Sequence, residues 1–100
     1  MFDEVSNSLQ TALKDWGMMQ KTSGDEGADW AERFERNFYM FVSHFREWFN
    51  QQNPRANTIE EAETLKEVQD IKQQLPGPLQ LNFQIELEEI VEEIETKRFD

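Results

Sequence analysis

A chain of 100 residues has room for one hydrophobic core of ordinary domain size. It carries 21 acidic and 10 basic residues, a formal net charge of −11, with one histidine and no cysteine. That excludes disulfides, cysteine-ligated zinc, iron–sulfur clusters and thiol chemistry, and it sets diffuse electrostatics against nucleic acid and anionic membranes.

The apolar fraction is 37% and the charged fraction 31%, a balance that leans toward disorder. Eight Phe, three Trp and one Tyr lean the other way, because each aromatic side chain has a large area to bury. A folded domain with a heavily charged exterior satisfies both. The start, Met1-Phe2-Asp3-Glu4, is acidic and has no apolar run of the secretory type, and no stretch is apolar enough to span a membrane. The expectation is a cytoplasmic chain, 1–100, folding as a single acidic helical domain.

Phe2, Val5, Leu9, Leu13 and Trp16 recur at three- and four-residue steps, which predicts an amphipathic helix over about 3–16. Asp3 and Glu4 suit its N-terminus, and Gly17 offers a C-cap. Ser23 to Gly27 reads as a loop.

The second helix, about 28–52, carries the strongest pattern. Trp30, Phe34, Phe38, Phe41, Val42, Phe45, Trp48 and Phe49 fall within one arc of about 120° at 100° per residue. Within it, Phe34, Phe38, Phe41, Phe45 and Trp48 are the expected core. Tyr39 and Met40 lie off the arc. Asn53-Pro54 stops the helix, because a residue before proline is pushed out of the α region.

Thr58 and Glu61 have the spacing of a capping box, opening a third helix over about 58–74. Leu65, Val68, Ile71 and Leu75 make its stripe, and Ile59 and Ala62 drift off it. Pro76-Gly77-Pro78 is a break.

The last segment has two readings. Leu79, Leu81, Phe83, Ile85 and Leu87 alternate as in a strand. Leu79, Phe83, Leu87, Ile90, Val91 and Ile94 equally fit one helical face. No other segment offers a partner strand, and an unpaired strand leaves its backbone groups unsatisfied. A helix over about 78–97 is therefore the expectation, with Leu81 and Ile85 as a small apolar patch opposite the main stripe.

These elements predict an all-α fold, a small antiparallel bundle of four amphipathic helices. A first helix much shorter than the second leaves part of the aromatic face uncovered, and dimerisation is one way to cover it.

No catalytic, cofactor or metal site emerges. His44 lies near the edge of the aromatic arc, with Glu47 one turn away, but no nucleophile accompanies them. There is no Glu-x-x-His pair for a dimetal centre, no calcium-loop spacing and no glycine-rich phosphate loop. The expected function is a non-enzymatic protein–protein interaction or adaptor module that self-associates or binds another protein, without cofactors, nucleic acid or membrane. Tyr39, Met40, Leu81 and Ile85 are the candidate contact residues. An alternative is an acidic imitation of nucleic acid that inhibits a basic DNA-binding protein, using Glu86, Glu89, Glu92 and Glu93.

Overall fold

The computed structural model describes residues 2–92. All regular structure among them is helical: α1 Phe2–Lys21, α2 Gly24–Asn50, α3 Ile59–Glu63, α4 Lys66–Gln74 and α5 Gly77–Val91. The chain divides into two compact units, residues 1–51 and residues 52–100.

The first unit is an antiparallel hairpin of α1 and α2. The start of α1 meets the end of α2, with the Phe2 and Trp48 rings 5.0 Å apart. The end of α1 meets the start of α2, with Trp16 and Phe34 at 5.3 Å. Between them runs a ladder of rings along α2, Phe34–Phe38 at 5.6 Å, Phe38–Phe41 at 5.7 Å, Phe41–Phe45 at 6.5 Å and Phe45–Phe49 at 5.8 Å. Tilted pairs at such distances add to the area they bury, because ring edges and faces carry opposite partial charge.

Two boundaries differ from expectation. α1 continues through Gly17 for a further turn and ends at Lys21. Gly17 sits in open space, and Met18 and Met19 beyond it are half-buried, so packing outweighs a glycine penalty of about 1 kcal/mol. α2 begins at Gly24, because the turn is only Thr22-Ser23. Gly24 adopts φ +62°, a left-handed conformation that costs any residue with a Cβ. Ser23 occupies the N-cap position, and Asp25 and Glu26 fall in the first turn. At 20 and 27 residues, α1 and α2 span about 30 and 40 Å. The expected length mismatch is much reduced.

The buried faces also shift. Phe38, Phe41, Val42, Phe45 and Phe49 are buried on α2, while Phe34 and Trp48 are only half-buried. On α1 the buried residues are Val5, Leu9, Ala12 and Asp15, so the packed face is rotated away from Leu13 and Trp16.

The second unit comprises the connector after α2, which includes a cis Asn53–Pro54 bond, and the three shorter helices. The expected 58–74 helix is two helices, α3 and α4, broken at Thr64-Leu65. The Thr64 and Leu65 amides donate to the Glu61 and Ala62 carbonyls three residues back, and the Thr64 hydroxyl donates to Glu61 O at 2.7 Å. Such back-bonding competes with continued helix. The break resets the helical phase, so that Ala62, Val68, Ile71 and Leu75 are all buried where an unbroken helix would have turned Ala62 off the stripe. Thr58 caps α3 by accepting from the Glu61 amide at 3.1 Å. Its hydroxyl in turn donates to the Glu61 carboxylate at 3.3 Å.

Leu79–Leu87 is helical, which removes the strand reading. Pro78 in the first turn presets the helical φ. Leu79, Phe83, Leu87, Ile90 and Val91 are buried on one face. α5 ends at Val91 with Glu92 as C-cap, and the remainder of the expected span, including Ile94, lies outside the described residues.

Candidate functional site

The large apolar side chains that remain exposed among the described residues are Tyr39 at 55%, Met40 at 52%, Leu81 at 66% and Ile85 at 48%. Tyr39 and Met40 lie on the first unit, and Leu81 and Ile85 on the second. Tyr39 and Met40 are neighbours on the outer side of α2. At 100° per residue the stripe through Met40 contains Asp29, Arg33, Arg36, His44 and Glu47. Arg33 packs its guanidinium over the Trp30 ring at 4.7 Å, which stiffens one end of that stripe. Tyr39 also meets Phe38 edge-on, with ring centroids 6.3 Å apart.

Leu81 and Ile85, four residues apart, share the outer face of α5, opposite Phe83 and Leu87. Pro78 lies on the same face one turn earlier, and Glu88 and Glu92 lie on it one and two turns later. α5 is therefore apolar on both sides over its first half.

Glu86 is half-buried toward the inner side, Glu89 and Glu92 are exposed, and Glu93 lies outside the described residues. No group of three or more His, Cys, Asp or Glu among the described residues is placed to hold a metal ion. No helix among them is long and apolar enough to cross a membrane.

His44 is paired across the hairpin. Its Nδ1 lies 3.3 Å from Glu4 Oε2 on α1, and not against Glu47 on its own helix. The antiparallel hairpin brings the first turn of α1 alongside the last turns of α2, which sequence spacing alone does not reveal.

Three polar arrangements escape the sequence pattern altogether. Asp15, 5% exposed, accepts a hydrogen bond from Asn37 Nδ2 at 2.5 Å, joining α1 to α2 inside the hairpin. Arg55 on the connector donates to the Ile90 carbonyl at 2.6 Å and to the Ala56 carbonyl at 3.2 Å. The first bond satisfies one of the carbonyls that a helix C-terminus leaves open. Lys72 donates to Glu63 Oε2 at 2.7 Å and to Gln84 Oε1 at 2.8 Å, and Gln84 Nε2 donates to Glu88 Oε2 at 3.2 Å. One ammonium thus ties α3, α4 and α5. The available signals were faint: an acid beside a buried alanine, and a lone cation ahead of a long stretch without one.

The Lys72 hydrogen bond and, secondarily, its charge hold the Glu63 carboxyl below the ordinary glutamate value. A depressed folded pKa means that the unfolded chain binds the proton more tightly. The pair's contribution is present above the unfolded glutamate pKa and is lost as pH falls through the lower folded one. In Lys72→Met the Glu63 titration should return toward the ordinary value, and stability should fall less between neutral and acidic pH. Carboxyl titration by NMR checks the first statement and urea unfolding against pH the second. An unmoved Glu63 titration would show that Lys72 is not its cause.

The connector and α3 also enclose an open depression of about 280 Å³, lined in part by Pro54, Arg55, Asn57, Glu61 and Thr64. Its Arg55 guanidinium donates to backbone carbonyls, and its Glu61 carboxylate accepts from the Thr58 hydroxyl.

No family model matches the chain, no curated protein matches it, and no solved structure matches it.

Proposed function

We propose that this protein is a non-enzymatic protein–protein interaction module that works through apolar side chains displayed on the outside of its helices. The observation that carries the reading is the pair of exposed apolar patches on two helices that each bury another apolar face. Tyr39 and Met40 lie outside the buried Phe38, Phe41, Val42, Phe45 and Phe49 of α2, and Leu81 and Ile85 outside the buried Leu79, Phe83, Leu87, Ile90 and Val91 of α5. Side chains of this size gain about 1.5–3 kcal/mol each when removed from water, a gain that only a partner can supply at such positions.

For the α2 patch the occupant proposed is a second copy of the chain, which also keeps the bundle and homodimer expected from the sequence within this proposal. The support is the charge order along the Met40 stripe. Arg33 and Arg36 precede Met40, and Glu47 follows it. Two such stripes crossed antiparallel about Met40 bring Arg33 near Glu47 of the partner subunit, twice by symmetry. An isologous contact of this kind needs only one self-complementary surface.

Light scattering with in-line size separation, at low and high salt, tests it. The expected result is a dimer for the parent chain and a monomer of unchanged helix content for Met40→Asp. A parent that stays monomeric throughout the concentration range, or a Met40→Asp variant with the parent's mass, would remove self-association through α2.

A further inference from the structure

The outer face of α5 differs from that of α2 in one respect that selects its partner. Between Lys72 and Lys97 the sequence contains six glutamates and no basic residue. Along the exposed side of α5 the order is Pro78, Leu81 and Ile85, then Glu88, Glu89 and Glu92. The first half is apolar and the second half acidic. Leu81 to Glu92 covers about 17 Å of helix, three turns. In this unit Lys72 donates to Glu63 and Gln84, and Arg55 to the Ile90 and Ala56 carbonyls.

We infer that the outer face of α5 docks a basic amphipathic helix of another protein, with apolar side chains seated on Leu81 and Ile85 and Lys or Arg side chains beside Glu88, Glu89 and Glu92. The inference rests on the reading of the chain as an interaction module, but it concerns a face separate from Met40. A second copy is the poorer occupant here. It brings another α5 with no cation of its own, so the carboxylates gain no opposite charge. A basic helix supplies both missing elements, apolar area for the first half and counter-charge for the second. The gradient also sets direction: the basic end of the incoming helix lies at the C-terminal end of α5. Two apolar anchors with a charged flank is a usual form of helix recognition, in which anchors recur at i and i+4. The carboxylates contribute mainly to encounter rate and choice of partner, and the apolar pair to holding it.

The probe is a synthetic amphipathic peptide of about 18 residues, long enough to hold helix in water. It has leucines four apart on one face of one half and lysines over the other half. A matched control carries glutamate for every lysine. Fluorescence polarisation with the full chain should show binding of the basic peptide that weakens as salt rises, and none of the acidic control.

Leu81→Ser/Ile85→Ser should weaken binding at least about tenfold, the factor that corresponds to roughly 1.4 kcal/mol. Its circular dichroism should be unchanged, because both side chains are exposed in the parent. Ile85→Lys is the second variant should the double one lose helix, and it should weaken binding while keeping the fold. Glu88→Gln/Glu89→Gln/Glu92→Gln should flatten the salt dependence and keep part of the affinity. Equal binding by the parent and the serine variant, equal binding of the two peptides, or no binding of the basic one each overturns the inference. A change of solution mass in the serine variant also overturns it, since the face would then belong to a second copy. Complete loss of binding in the glutamine variant with none in the serine variant would favour an imitation of nucleic acid. Met40→Asp should bind the peptide as the parent does, so failure here and failure of self-association through α2 are separate outcomes.

Discussion

Phe41→Ala is expected to cost about 3–5 kcal/mol of folding stability, read as a lower urea midpoint. Phe41 has no exposed surface and sits in the middle of the ring ladder, 5.7 Å from Phe38 and 6.5 Å from Phe45. Truncation removes the transfer free energy of the ring and leaves a cavity that rigid aromatic neighbours fill poorly. Phe34→Ala is the informative comparison. Phe34 belongs to the same apolar arc but is only half-buried, so its cost should be clearly smaller. Equal costs would mean that the arc, and not the packing around each position, sets the energetics.

The second large effect lies in the Asp15–Asn37 pair. Asn37→Leu removes the donor and leaves a buried carboxyl oxygen without it, at a cost of about 1–3 kcal/mol or more. Asp15→Leu similarly strands the Asn37 amide. Asp15→Leu/Asn37→Leu together should recover much of the loss, because two apolar groups of similar size need no hydrogen bond. A double-mutant cycle by urea unfolding therefore has an expected sign: the double variant is more stable than the sum of the single costs implies. Additive costs would show that the two side chains do not act as a pair. The physical role that follows is register. A polar pair satisfied only when α1 and α2 are correctly aligned penalises slippage of an otherwise greasy aromatic hairpin.

The segments that were legible are those whose pattern repeats. The aromatic arc of α2 identifies its buried face because eight apolar side chains agree on one direction. Leu79, Phe83, Leu87, Ile90 and Val91 on α5 do the same once a strand is discounted for want of a partner. Off-stripe positions follow by subtraction, and Tyr39, Met40, Leu81 and Ile85, which lie off the stripes, are exposed. Boundaries were read less well. Gly17 leaves two readings open, a C-cap or one further turn over Met18 and Met19, and the helix continues because that turn packs. Local propensity makes the 58–74 span one helix because it has no means of weighing a phase shift. Ala62 and Val68 are both buried only if the helix breaks between them, and that gain appears only when there is a core to face.

The residues by themselves determined the helical class, the direction of the buried faces of α2 and α5, the absence of cysteine-based chemistry and the acidic bias. Each of these follows from local periodicity or from composition, which do not depend on what lies across the fold. Only the tertiary structure decided that Asp15 finds Asn37, that His44 finds Glu4 and not Glu47, that Lys72 ties three helices, and that Arg55 reaches the Ile90 carbonyl. These pairs lie between 9 and 40 residues apart, or on different elements. A directional contact of about 3 Å requires a specific approach of two backbones, and that approach is set by the packing of apolar faces, to which a single helix's pattern contributes only one side.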